Sequence, residues 1–497
     1  MEAFLHPLQG LAEFEEIKKR CGANCGILNV SGCMESQKVH LMYGLSGLFP
    51  YHLILADDER NAKEIYEDYR FYDKNVYFYP AKDLLFFQAD IHGNLLIRQR
   101  MRVIRALLEQ EEVTVVTSID GCMDFLMPLE KIRSRLLHFK SDSVIDLDQL
   151  KEELVELGYE RTGQVELPGQ FSVRGGIIDI YPLTEDNPWR IELWDDEVDS
   201  IRSFDAESQR SLENVDEITI YPAVEKMDGE DMVSFLDYFP EEKTLVFLDE
   251  LNHLAENGEG VEEEYRQSRM HREEKGEANL PEQWLCGFQE LQKKLNRRNC
   301  VAVSALSPRR SGWKINEEFD LTVKSVDSYN SSFELLVKDL LQYKSQGYRI
   351  ALLSGSRTRA ERLAKDLSEE GLNAFYSQDM DRIISPGEIM VVYGHARRGF
   401  QYPLIKFAVM TETDIFGKEQ KKRKKKKKYS GNRIQDFAEL SIGDLVVHEK
   451  HGLGIYRGIE KVEVDRVVKD YIKIEYRGGS NLYILATQLD ALQKYSG

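Results

Sequence analysis

The sequence predicts a multidomain α/β protein: a doubly wound, mostly parallel sheet, an antiparallel β module inserted into it, a second small α/β domain and a small C-terminal β-barrel. Three observations carry this. Residues 1–120 alternate short apolar runs with helical patterns, the signature of a mostly parallel sheet. Near residue 160 the pattern turns β-rich with near-alternating polarity, and α/β alternation resumes later. Residues 440–497 are short strands punctuated by glycine, as in a strongly bent barrel. A length of 497 residues corresponds to three or four domains at roughly 100–200 residues each.

The elements follow in order. "YHLILADD" (51–58) reads as a buried strand and "ERNAKEIYEDYRFY" as the helix after it. "NVYFYPAKD" (75–83) is a strand closed by Pro80, and "VTVVTS" (113–118) another. Between them "LIRQRMRVIRALLEQ" (96–110) sets Ile97, Met101, Ile104 and Leu108 at helical spacing. "GQFSVRGGIIDIYPL" and "PWRIELWDDEVDSIRSFD" are strands with turns at Gly175-Gly176 and Asp195-Asp196, and "DEITIYPA" (216–223) adds one more. "KTLVFLDE" (243–250) reads as a return to the first sheet. In the second α/β unit, "YRIALLSGS" and "GEIMVVYG" are strands, and "RTRAERLAKDLSEEGL" is a helix whose Thr358 and Glu361 have capping-box spacing. At the C-terminus, Ile472, Ile474 and Tyr476 alternate with Lys473 and Glu475, so one strand face is buried.

Charge and composition narrow the function classes. A net charge of −20 makes the chain a poor general ligand for a nucleic-acid backbone, which needs lysine and arginine. The exception is "KEQKKRKKKKK" (418–428), a self-repelling, solvated block read as a linker, with weak contact to nearby nucleic acid as its other reading. Six cysteines do not make a disulfide framework in this length. Cys21, Cys25 and Cys33 lack a second pair or a histidine at ligand spacing, so they read as reduced thiols and not as a metal site. No apolar run approaches ~20 residues and the N-terminus lacks signal-peptide character, which predicts a cytoplasmic protein without a membrane partner.

One stretch raises a chemical question. "NVSGCMES" (29–36) lies between an apolar run and a helical pattern, the place of a phosphate-binding loop, G-x-x-x-x-G-K-[ST]. Asn29 stands for the first glycine, Met34 for the second and Glu35 for the lysine; Gly32 lies inside the loop and only Ser36 fits. A carboxylate at the cationic position opposes a triphosphate, and the missing glycines remove close backbone approach. "FLDEL" places Asp249 and Glu250 where a magnesium-binding pair could sit, but without a phosphate loop they read as structural. Lys38 lies three positions beyond the expected lysine. His448 and His451 in "HEKHG" have no nucleophile beside them and read as structural.

The block "GQFSVRGGIIDIYPLTEDNPWRIELWDDEVDSIRSFDAESQRS" (169–211) resembles the second domain of the repair protein UvrB, and more closely the UvrB-like module of the bacterial transcription-repair coupling factors. "IGDLVVHEKHGLGIYRGIE…KDYIKIEYRGGSNLYILATQLDALQKY" resembles that family's RNA polymerase-interacting domain, a CarD-like, Tudor- or SH3-type barrel. "FPYHLILADDE" and "RQRMRVIRALL…VTVVTS" also suit the family. The resemblance implies a UvrB-like, helicase-type first domain with a degenerate loop (1–120 and 213–344) and an inserted UvrA-binding module (121–212). It further implies a small α/β domain of unassigned role (345–416), a Lys-rich linker (417–438) and the CarD-like domain (439–497).

The resemblance also implies function. UvrB binds ATP at the equivalent loop, whereas the coupling factors carry a degenerate copy there. The family's complete proteins continue into an ATP- and magnesium-dependent DNA translocase motor. This sequence ends past the barrel and reads as a fragment without the motor: a non-enzymatic scaffold without a cofactor, contacting DNA only through the missing motor. Its implied partners are UvrA and the β subunit of RNA polymerase. For UvrA the resemblance points to Arg161, Arg174 and Ile178, among basic groups that include Arg190, Arg202 and Arg210; otherwise Arg174 pairs internally with Asp179 or Glu192, and Ile178 fills the local core. For polymerase it points to the edge-strand stretch Ile459, Glu460, Lys461 and Val462, with barrel core as the other reading of Val462. Two other functions compete, a UvrB-type ATP-dependent damage-loading protein and a free-standing CarD-like regulator.

Overall fold

The structure is a computed structural model that describes residues 1–21, 26–82, 93–224, 232–274, 285–308, 312–417, 431–433, 442–448, 452–464, 467–475, 481–485 and 492–495. The chain divides into two compact units, and the described residues from 431 onward fall in the second.

The larger unit is built on a seven-stranded sheet in the order Ile315–Asp320, Ile27–Ser31, Cys300–Val303, Thr244–Asp249, Tyr51–Ala56, Val113–Ser118 and Val76–Tyr79. Every neighbouring pair is parallel. A parallel sheet buries both faces, so its strands read as near-continuous apolar runs. The two faces feed different cores: Leu53 and Leu55 pack in one, and Ile54 and Ala56 in the other. The stretch 243–250 does return to this sheet, beside Tyr51–Ala56.

Between those strands lies a six-stranded sheet in the order Ser211–Val215, Glu197–Phe204, Trp189–Trp194, Ile177–Ile180, Gln170–Arg174 and Glu160–Arg161. It is antiparallel except at Glu160–Arg161. Its inner face, including Phe171, Ile180, Ile191 and Ile201, joins the core on the first sheet. The strand expected at 216–223 forms as Glu217–Ile220, but it pairs with Leu137–Lys140 as a separate ribbon.

A second α/β sheet takes the order Lys324–Ser325, Phe400–Tyr402, Phe407–Thr411, Arg349–Ser354, Glu388–Tyr393 and Asn373–Tyr376. One face is covered by the helices Phe333–Ser345 and Arg357–Glu369. The other merges with the core around helices Glu2–Leu8, Glu35–Ser46 and Glu59–Tyr72. The helix expected from "RTRAERLAKDLSEEGL" starts earlier than its capping-box spacing indicates. Ser356, extended at φ −148° and ψ 148°, is the N-cap, and its Oγ accepts from the Arg359 amide at 3.2 Å. Thr358 is already inside the helix, so it has no cap role.

The described strands from residue 431 onward form a six-stranded antiparallel sheet in the order Gly431–Arg433, Leu492–Tyr495, Leu445–His448, Gly452–Val464, Val467–Glu475 and Asn481–Leu485. Ile472 and Ile474 are buried, as their alternation predicts. Tyr476, His451, Cys25 and the lysine block 418–428 lie outside the described residues. No helix among the described residues is long and apolar enough to cross a membrane.

Candidate functional site: a filled loop and two docking surfaces

The loop 29–36 does join a parallel strand, Ile27–Ser31, to a helix, Glu35–Ser46. Three of its backbone amides, however, are spent on the protein itself. The Gly32 amide donates to the Ala305 carbonyl at 3.3 Å and the Cys33 amide to the Ser304 carbonyl at 3.1 Å. The Met34 amide donates to Gln37 Oε1 at 3.0 Å, closing the helix start. Gly32 has φ +78°, and a Cβ there would lie 2.1 Å from the Leu321 carbonyl oxygen. Its glycine is therefore demanded by the neighbouring strand. Asn29 is buried within the strand, its Nδ2 3.1 Å from Ser31 Oγ.

Glu35 occupies the cationic position with φ +28° and an exposed side chain, its Oε2 3.6 Å from Arg398 Nε. Ser36 faces inward. Its Oγ donates to Asp68 Oδ2 at 2.7 Å and accepts the Arg398 amide at 3.1 Å. Asp68 is fully buried, and burial pushes its carboxyl above the usual range against the pull of Arg397 and Ser36. The second α/β module thus reaches the loop directly, through its segment 397–402. In the same segment the Tyr402 hydroxyl accepts from Gln37 Nε2 at 2.9 Å.

Asp249 and Glu250 end the strand beside the loop, and Lys38 meets both: Nζ is 2.7 Å from Asp249 Oδ1 and 2.6 Å from Glu250 Oε1. Burial pulls the Lys38 pKa down, but the two carboxylates outweigh it and hold the ammonium charged. Sequence reasoning passed over Lys38 because it is misplaced for a phosphate loop. The burial of every position from 36 to 42 comes from tertiary packing, so no local signal marked Lys38. Burial also pushes the Cys33 thiol up to about 12, so it offers no thiolate. Cys21 and Cys33 are buried, and no group of three or more His, Cys, Asp or Glu side chains among the described residues is arranged to hold a metal ion.

The second candidate surface is the outer face of the antiparallel module. Register assigns its rows. Arg174 pairs with Ile177, Ile177 with Glu192, and Glu192 with Ser200. The adjacent row, Val173, Ile178, Ile191 and Ile201, points to the core. Ile178 is 0% exposed, so the expectation that it touches a partner is corrected: successive strand residues face opposite ways, and Ile177 is the one beside Arg174. Arg174 is half-exposed and donates to Asp179 Oδ2 at 2.7 Å, the internal pairing left open above. Asp179 is also gripped by Arg190, Nε to Oδ1 at 2.6 Å and Nη2 to Oδ2 at 2.9 Å. Two guanidinium groups on one buried carboxylate leave excess positive charge, carried by the more exposed Arg174. Arg202 pairs with Glu192, and Arg210 is exposed. Arg161 is exposed on the edge strand; its register partner is Phe171, three residues before Arg174 and of opposite parity, so the two arginines are not side by side. At the same end as Arg174, Trp194 is 80% exposed, a residue the sequence reading passed over.

The third candidate is the strand Gly452–Val464. Its first part pairs with Leu445–His448 on one side, while residues from Ile455 to Val464 pair with Val467–Glu475 on the other. Ile459, Glu460, Lys461 and Val462 lie in the part whose second edge has no strand partner among the described residues. A free edge presents backbone donors and acceptors for another strand. His448 lies on the neighbouring strand, opposite Gly452.

These features define a multidomain α/β protein that carries two distinct modules. Residues 137–225 match the UvrB interaction domain family, and residues 440–496 match the CarD-like/TRCF RID domain family. Relatives of the chain include transcription-repair-coupling factors. It is 29% identical to that of Bacillus subtilis (strain 168), over 94% of this chain and 46% of the relative. It is 27% identical to that of Staphylococcus aureus (strain MRSA252), over 85% of this chain and 41% of the relative. The Staphylococcus epidermidis (strain RP62A) factor is 28% identical, over 89% of this chain and 43% of its own length. The chain thus spans less than half the length of the curated relatives it matches.

Proposed function

We propose that this chain is a recruitment scaffold for transcription-coupled DNA repair, docking UvrA on its antiparallel module and the RNA polymerase β subunit on its C-terminal sheet. The observation that carries a docking role over nucleotide turnover is the filled loop. Three consecutive amides that would cradle phosphate already donate to Ala305, Ser304 and Gln37, and Lys38 holds the acidic pair. A triphosphate would have to displace these bonds and face Glu35. On this reading residues 29–36 take no nucleotide, the chain needs no cofactor, and ATP, magnesium and DNA translocation belong to a motor in the complete protein.

Arg161 and Arg174 are the proposed UvrA contacts, with Ile177 replacing Ile178 as the apolar neighbour. An exposed guanidinium suits this role, since its planar fork pairs with carboxylates in two-point fashion. At the other module, the stretch 459–462 adds to a polymerase sheet through main-chain hydrogen bonds, with the six strands closing as a CarD-like barrel. The domain bounds 1–120, 121–212, 213–344, 345–416, 417–438 and 439–497, a cytoplasmic location and weak nucleic-acid contact by residues 418–428 complete the proposal.

The test is capture of purified UvrA and polymerase β by the full chain, with a fluorescent ATP analogue titrated in parallel. Capture of both without nucleotide binding is expected. Saturable ATP binding would favour a UvrB-type protein, and polymerase capture without UvrA a CarD-like regulator; either result would overturn the scaffold reading.

A further inference from the structure

At the C-terminal ends of the parallel strands, four stretches of chain converge on one buried charge. Lys38 Nζ, from the helix Glu35–Ser46, contacts Asp249 and Glu250 at 2.7 and 2.6 Å. Asn61 Nδ2, from the helix Glu59–Tyr72, donates to the second Asp249 oxygen at 2.6 Å. The Ala305 amide, just past the strand Cys300–Val303, donates to Glu250 Oε1 at 2.8 Å. Asp249 is 2% exposed, and Glu250 holds φ +54°, a left-handed conformation that non-glycine residues rarely adopt.

We propose that Asp249 and Glu250, with Asp249 held in place by the Asn61 amide, form a cation site whose resident ion is the chain's own Lys38 ammonium. Two carboxylates are hard oxygen donors of the kind that hold divalent cations, and an ammonium is a compact point charge with three donors. Tethering fills the site at no cost in ligand concentration. It also fastens the loop helix, two strand ends and the helix of Asn61 to one another without metal or nucleotide. The charge does not close: two carboxylates face one ammonium, whereas a divalent ion would balance them. Lys38 and a divalent cation therefore compete for one place, and Lys38 excludes the metal because it cannot diffuse away. This rests on the reading that the loop takes no nucleotide.

The experiment uses the full chain with manganese chloride as the probe. Lys38→Met keeps the aliphatic stem and removes the charge. Wild type is expected to melt at the same temperature in millimolar manganese as in EDTA. Lys38→Met is expected to melt lower in EDTA and to regain several degrees in manganese, with one additional bound ion by electron paramagnetic resonance. Lys38→Met combined with Asp249→Asn should lose that response. Should Lys38→Met fail to fold, Lys38→Gln carries the same comparison, with refolding yield with and without manganese as a second readout. No manganese response in either single variant overturns the proposal, as does an Asp249-dependent response in wild type. Binding of a fluorescent ATP analogue by wild type is a separate outcome: it overturns the non-nucleotide reading, whatever manganese does.

Discussion

Arg397 and Asp68 meet across 329 residues of chain: the Arg397 amide donates to Oδ1 at 2.9 Å and its Nε to Oδ2 at 3.1 Å. Arg397 also pairs with Glu64. The contact fixes the second α/β module onto the helix Glu59–Tyr72 of the first. Arg397→Ala removes the guanidinium from a buried carboxylate that keeps its bonds from Ser36 Oγ and the residue-397 amide, so the loss should approach the roughly 3–5 kcal/mol of breaking a buried ion pair, read by urea denaturation. Arg397→Lys, which keeps the charge but not the fork, should cost less. An unchanged midpoint for Arg397→Ala would mean that the contact does not hold the two modules together.

His40 predicts acid sensitivity at the same junction. Its Nε2 is 2.9 Å from the Phe4 carbonyl, which can only accept, so Nε2 carries the proton and Nδ1 accepts from the Tyr402 hydroxyl at 3.1 Å. Burial lowers its pKa to about 4 from 6.5, outweighing the opposing pull of the Phe4 carbonyl. The unfolded chain therefore binds the proton first as pH falls. The stability at risk is fully present above about pH 6.5 and is lost as pH drops toward 4, approaching ~3 kcal/mol at the lower end. His40→Gln should flatten that slope in denaturation midpoints measured across this window.

On the antiparallel module, surface and core variants should separate. Arg174→Ala leaves Asp179 held by both oxygens on Arg190, so stability should fall by less than about 1 kcal/mol. Combined with Arg161→Ala, it should abolish UvrA capture. Ile178→Ala should instead lower stability by about 2–4 kcal/mol through a cavity. Undiminished capture by the double arginine variant would sink the assignment of this face.

Trp194 should behave as an anchor of that face. Large exposed aromatics contribute disproportionately to interfaces, and at 80% exposure this one contributes little to the fold. Trp194→Ala should weaken UvrA capture at least tenfold, about 1.4 kcal/mol, with the melting temperature unchanged. A titration curve overlying wild type would remove Trp194 from the interface.

For the C-terminal sheet, Val462→Arg should prevent polymerase β capture while leaving the melting temperature close to wild type. Val462 lies opposite Lys469, in the part of its strand whose other edge has no strand partner among the described residues. Collapse of the sheet would place Val462 in its core.

Local periodicity by itself determined most elements. The runs at 51–56 and 113–118 carry apolar residues on both faces because a parallel strand buries both, and alternation near 170–204 marked a sheet with one solvent face. The departure of residues 29–36 from the phosphate-loop pattern was also legible, since Glu35 stands where that pattern has lysine. Other features were decided by tertiary structure, because they depend on which distant groups come together. Only register could place Ile178 inside and Ile177 outside, since a one-residue shift reverses every side chain of a strand. Only the strand crossing could show that Gly32 is required by Leu321. The pairing of Lys38 with Asp249 and Glu250, more than 200 positions away, was invisible to any local pattern. A buried ion pair is specified by where the backbone brings two charges and by the absence of water around them, and neither is written in the order of residues along the chain.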